Sequence, residues 1–215
     1  MQPLKGRSEA LFIISCIFLV VPLLFVALRC FTRSKIIKYI GWDDWTMVIA
    51  MILQSWFTVC EMIASLYGLG RDEQDFTVLA NIDTAIMWWW LGQTAYLWGA
   101  AFARTSLVLS LLSLTIHRRR RFILYAVVSF SWMISIGLWL LFILACRPTS
   151  QFWEQTNPNA CLQPSQLVIA AYVQSIVASI CDFTLGAYPI PLIWGLQMSM
   201  RTKALLGLTL CIGFL

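Results

Sequence analysis

Histidine is almost absent from this sequence, and lysine is absent from its long apolar segments: His117 is the single histidine, and Lys5, Lys35, Lys38 and Lys203 all fall in loops or at a terminus. One histidine rules out paired-histidine haem ligation in the membrane, a His-rich di-iron centre and a Ser–His protease dyad. No lysine within a span means that no residue can form a buried Schiff base with retinal, so no cofactor is expected. The glycines are scattered and form no phosphate-cradling loop. Neither an enzyme nor a metal site is expected. Charge is scarce as well, at 12% of residues, where an average soluble domain carries about a quarter.

What fills the space is hydrophobic. Such residues make up 60% of the chain, and the mean hydropathy is +0.78. A soluble helical core fails on length, because apolar runs of about 20 residues match the hydrocarbon thickness and recur along the whole chain. A cleaved signal peptide, with Lys5 and Arg7 as its charged region, also fails. Its apolar run is long for that role, no small-x-small site follows it, and Arg29, Arg33, Lys35 and Lys38 outweigh the N-terminal charge.

Spans are expected at 10–28, 42–67, 84–116, 122–145 and 165–194, with 204–215 an incomplete sixth. Pro22 is expected to kink the first, and Gly68 and Gly70 to end the second. The third apolar segment would measure roughly 50 Å as one helix, too short for two spans and a turn. It is read as a single helix that projects outward, with Trp88, Trp89 and Trp90 in or above the interfacial belt. Pro189 and Pro191 are expected to bend or end the fifth.

The loops at 29–38, 117–121 and 201–203 are basic, whereas those at 70–83 and 147–164 are acidic or nearly neutral. Short loops rich in Lys and Arg stay on the cytoplasmic side. The N-terminus is therefore expected outside. The fold class is an all-α polytopic transmembrane bundle, with residues 1–215 forming a single membrane domain of five complete spans and a truncated sixth. The net charge of +5 is read as topology determinants and contacts to anionic lipid of the bilayer, not as a nucleic-acid surface.

Ionisable residues inside spans are costly in hydrocarbon and usually face a partner or water. Three fall there: Glu61, Arg104 and Asp182. Arg104 lies about 20 Å, and Asp182 about 18 Å, from the cytoplasmic ends of their helices, so the two can pair at similar depth. Such a pair either fixes helix packing or serves a ligand. Glu61 lies nearer the outer surface. Trp42, Asp43 and Asp44, followed by Trp45, open the second span, where acids cap free N–H groups and complement the helix dipole. The same two acids also match Arg33, Lys35 and Lys38 as an ionic latch. Of the seven cysteines, Cys16, Cys60, Cys181 and Cys211 lie in spans and Cys30 sits at a cytoplasmic edge. Cys146 and Cys161 flank one outer loop, and a disulfide between them would close about 15 residues.

Several segments together resemble the fungal rhodopsin-domain family of seven-helix integral membrane proteins, which includes Pth-type receptor-like and satratoxin-cluster membrane proteins. The residues that carry the likeness are Gly41-Trp42-Asp43-Asp44-Trp45, Tyr67-Gly68-Leu69-Gly70-Arg71, Arg104-Thr105-Ser106, Cys146-Arg147-Pro148 with Trp153 and Cys161, and Asp182 followed by 188–198 and Arg201-Thr202-Lys203. Arg104 stands where the family more often has Lys. The resemblance implies a plasma-membrane or endomembrane protein of receptor-like architecture.

Function is expected to be that of a receptor-like sensor with an outward pocket between the third and fifth spans, near Arg104 and Asp182, binding a small molecule. A cytosolic signalling partner would read the basic inner loops. A transporter or accessory protein for a small metabolite is the alternative, although neither an inverted repeat nor a pair of interrupted helices is visible. A purely structural membrane protein and a truncated, non-functional fragment are further readings.

Overall fold

The computed structural model describes residues 7–37, 41–69, 82–115, 118–154 and 161–188. Five helices in it are long and apolar enough to cross a membrane, and no strand occurs among the described residues. They are α1 (Arg7–Phe31), α2 (Trp42–Leu66), α3 (Ile82–Leu114), α4 (Arg118–Leu144) and α6 (Pro164–Ala187), with α5 (Gln151–Glu154) a single turn between the last two. One end of the bundle carries Arg29, Asp43 and Arg118 and is called the basic end. The other carries Cys146 and Cys161 and is called the disulfide end.

The helices differ from the expected bounds where polar residues continue a helix past the apolar run. Thr32–Ile37 is π-helical rather than loop, and Arg118–Arg121 form the first turn of α4 rather than a linker. α1 runs unbroken through Pro22. The fifth span is described to Ala187, with Tyr188 at its C-cap; the rest of the expected span, the Pro189 and Pro191 motif and the sixth span lie outside the described residues.

α2 stops because Gly68 takes φ 113°, a left-handed conformation that only glycine adopts without strain. The Leu69 N–H then donates to the Ala64 carbonyl (3.0 Å) and the Gly68 N–H to the Ser65 carbonyl (3.3 Å). These bonds satisfy carbonyls that the helix end would leave bare.

Packing is reversed relative to a water-soluble bundle. Ala50, Cys60, Ala64, Ala85, Ala95 and Ala101 are buried, while Leu24, Ile52, Phe122, Ile176 and Phe183 are exposed. Lipid is as apolar as these large side chains, so helices gain by close approach of small residues instead. α3 is the most enclosed of the spans. Gly92 and Gly99 let it approach α2, since a Cβ at Gly92 would lie 3.1 Å from Cys60 Cβ and one at Gly99 would lie 3.3 Å from Leu53 Cβ. Near the basic end, Val108 and Leu112 of α3, Leu124 of α4 and Leu185 of α6 close a compact apolar cluster.

Candidate functional site

Polar side chains inside the bundle gather at two levels of α3. At the basic end, Asp43 Oδ2 accepts hydrogen bonds from Arg29 Nη2 (3.0 Å), Arg33 Nη2 (3.1 Å) and Ser110 Oγ (3.0 Å). Asp44 Oδ1 accepts from Arg29 Nε at 3.4 Å, and Asp44 Oδ2 accepts the Gly41 N–H at 3.2 Å. The Asp44 carboxylate thus caps α2 and joins the ionic cluster at once. Ser106 Oγ donates to the Asp43 carbonyl (2.7 Å) and Arg29 Nη2 to Ser110 Oγ (2.6 Å). Two guanidinium groups meet two carboxylates, and α1, α2 and α3 are joined.

The members of this cluster differ from those the sequence indicates. Arg29 supplies the second guanidinium, Lys35 is exposed and Lys38 lies outside the described residues. Arg29 sits in the last turn of α1, facing α2, whereas a loop would have let any of the basic residues compete. Trp42, 81% exposed, points away from the cluster.

At mid-span, Arg104 Nε donates to Asp182 Oδ1 (2.7 Å) and Arg104 Nη2 to Asp182 Oδ2 (3.0 Å). This bidentate fork is the geometry in which guanidinium and carboxylate satisfy each other best. Arg104 Nη1 donates to Ser131 Oγ of α4 at 3.3 Å, so the pair ties α3, α4 and α6. Arg104 is 7% exposed, whereas the Asp182 side chain is 52% uncovered. Beside the pair, a seam lined by Ser131, Ser135, Gln174 and Cys181 leaves no water-sized space. Ser135 Oγ has no hydrogen-bond partner among the described residues. Glu61 is half-buried on α2, near the disulfide end.

The roomier space lies elsewhere. A groove of about 410 Å³ is lined by Ile52, Leu53 and Trp56 of α2, Leu91, Thr94, Ala95 and Trp98 of α3, and Trp139 of α4. It lies between the second, third and fourth spans, not between the third and fifth, where the Arg104–Asp182 fork and its narrow seam fill the interface. Trp98 meets Trp139 and Trp132 edge-on, with ring centres 5.5 Å and 5.6 Å apart. Trp132 Nε1 in turn donates to Thr105 Oγ1 at 3.0 Å. A contact chain therefore runs from the groove wall to the residue beside Arg104.

The disulfide end is closed by aromatics. Cys146 and Cys161 are bonded, and the Leu162 N–H donates to the Ala145 carbonyl at 2.8 Å. Inside the loop they close, α5 lays Phe152 against Trp89 (6.5 Å, stacked) and Trp153 against Trp90 (5.9 Å).

Besides Arg29, sequence reasoning assigns to the site neither Ser106 and Ser110 nor Ser131 and Ser135, of which only Ser106 appears there, within the Arg104-Thr105-Ser106 motif. Each pair sits at four-residue spacing on one helix face, which is how small polar residues mark helix contacts in membranes.

The chain resembles the polyenoic acids biosynthesis gene cluster protein Ba17b of Metarhizium anisopliae, with 24% identity over 213 residues that cover 92% of this chain and 54% of that protein. The chain thus spans about half the length of this curated relative. No solved structure matches it. A family model described as the fungal rhodopsin domain matches residues 28–215, and on that extent of match this membrane-spanning chain belongs to the fungal rhodopsin domain family.

Proposed function

We propose that this membrane protein is a receptor-like sensor of a small apolar molecule drawn from the bilayer, with the tryptophan-lined groove as its ligand site. The observation that carries this reading is the link between the groove and the ionic cluster through one helix. Trp98 lines the groove, Thr105 is held by Trp132, and Ser106 and Ser110 hold Asp43, all on or against α3. A ligand that shifts α3 by favouring one of two positions would shift the cluster with it. The curated relative's name carries polyenoic acids, and a long, flat apolar chain suits a slot walled by three indoles.

In this reading the N-terminus is outside, the basic end faces the cytosol and a cytosolic partner, and the plasma membrane is the location. The chain works without a cofactor and is not an enzyme. Titration of the purified chain in nanodiscs with a conjugated polyenoic acid tests the proposal, reading energy transfer from tryptophan. Saturable transfer that Ala95→Leu weakens supports it; a rise linear in ligand and indifferent to the substitution, as from simple partitioning, overturns it. Flux of the same acid across proteoliposomes would favour the transporter reading instead.

A further inference from the structure

Six arginines stand at the basic end of the described residues, and they fall into two classes. Arg29 and Arg33 are neutralised by Asp43 and Asp44. Arg118, Arg119, Arg120 and Arg121 follow one another in the first turn of α4, a turn with no acidic residue. Arg121 Nη2 reaches back to the Leu112 carbonyl at 3.5 Å, near the C-terminus of α3, where a cation is favourable. For Arg118, Arg119 and Arg120 the structure shows no carboxylate partner among the described residues.

These three guanidinium groups crowd the positive end of a helix dipole, where cations are disfavoured. The apolar face begins at once, with Phe122 and Ile123 exposed. That change of chemistry sets the arginines at the level of lipid headgroups. A requirement for positive charge alone is met by lysine, whereas arginine forks match phosphate oxygens in pairs.

We infer that Arg118, Arg119 and Arg120 form a docking site for a polyphosphoinositide headgroup of the adjacent leaflet. Charge matching selects this lipid. The three cations lie within about 5 Å of helix rise, and although their Cα atoms are spread around the turn, their long side chains can snorkel to one headgroup plane. A single headgroup bearing several phosphate charges then balances what three singly charged lipids would otherwise have to. Arg121 stays on the Leu112 carbonyl and so links the bound headgroup to the end of α3. The inference is independent of the receptor reading, and a detergent-based test is independent of which leaflet is cytoplasmic.

Native mass spectrometry of the full chain in detergent, titrated with short-chain phosphatidylinositol bisphosphate, phosphatidylserine or soluble inositol trisphosphate, tests it. One basic residue near such a lipid is worth about fivefold in affinity, so Arg118→Gln with Arg119→Gln should weaken bisphosphate binding about 25-fold. Arg118→Lys with Arg119→Lys, which keeps the charge and loses the fork, should weaken it several-fold, less than the glutamine pair does. Equal binding of phosphatidylserine, equal binding of the soluble phosphate, or an unchanged affinity in the glutamine pair overturns the site. Should the glutamine pair fail to fold, the ratio of bisphosphate to phosphatidylserine binding by the unsubstituted chain decides.

Discussion

The two ends of the bundle are held by different chemistry. At the disulfide end, α3 meets the loop and α4 through Trp89, Trp90, Phe142, Phe152 and Trp153, contacts that depend on shape and tolerate small slides. At the basic end, α3 meets α1 and α2 through hydroxyls and charges with fixed directions. Directional bonds break or hold, and they can exchange partners. In the proposed sensor the basic end is therefore where a change in α3 would become a change of state, and the disulfide end where it would be anchored.

The comparison breaks hardest between the two ends. Arg104→Ala or Asp182→Ala leaves an uncompensated charge in the span and should cost about 3–5 kcal/mol, read as lost folded yield and a lower melting temperature in detergent. The swap Arg104→Asp with Asp182→Arg should recover part of it; single substitutions that melt like the parent would show that the fork is idle. Opening the disulfide by Cys146→Ser with Cys161→Ser should cost about 3 kcal/mol for a loop of this size and raise hydrogen exchange around α5. Exchange that rises at the basic end by as much would erase the distinction between the ends.

Asp43→Ala removes the acceptor shared by Arg29, Arg33 and Ser110 and should cost about 1–3 kcal/mol. Its hydrogen-exchange signature should sit at Arg29–Arg33 and Ser106–Ser110 and spare α5. The finest test compares glycines. Gly99→Ala presses a methyl to within 3.3 Å of Leu53 Cβ and should destabilise by about 1 kcal/mol, whereas Gly137→Ala meets nothing within 4 Å and should stabilise by a few tenths to about 1 kcal/mol. Melting temperatures that move together would remove the close α2–α3 approach from the account.

Five spans were legible because membrane thickness fixes the length of an apolar run, and the likeness to the fungal rhodopsin domain rested on motifs strung along the whole chain. Helix ends were less so. Arg118–Arg121 read as a loop because hydropathy sees the edge of the hydrocarbon, while a helix continues as long as its backbone bonds can form. The charges at 104 and 182 stood out as costly in lipid, and depth alone allowed them to meet. Serine gives no such signal, since its hydroxyl can bond back to its own helix, as Ser55 does to Met51 and Ser175 to Ala171. Which serines face a neighbour depends on helix rotation, and that is set only in the packed bundle. The groove escaped the sequence for the same reason: its walls come from three helices whose facing sides the sequence does not reveal.

The bond between Cys146 and Cys161, together with the Leu162–Ala145 hydrogen bond, pins the neighbouring ends of α4 and α6 as the rivet pins a pair of tongs. Any tilt between the two spans grows with distance from this point and is opposed on the way by the Arg104–Asp182–Ser131 contacts and the Leu124–Leu185 cluster. α4 has 27 residues and is about 40 Å long, so a tilt of about 5° about the rivet carries its arginine tip by about 3–4 Å. A displacement too small to disturb the aromatic end is then large enough to part a hydrogen bond at the other.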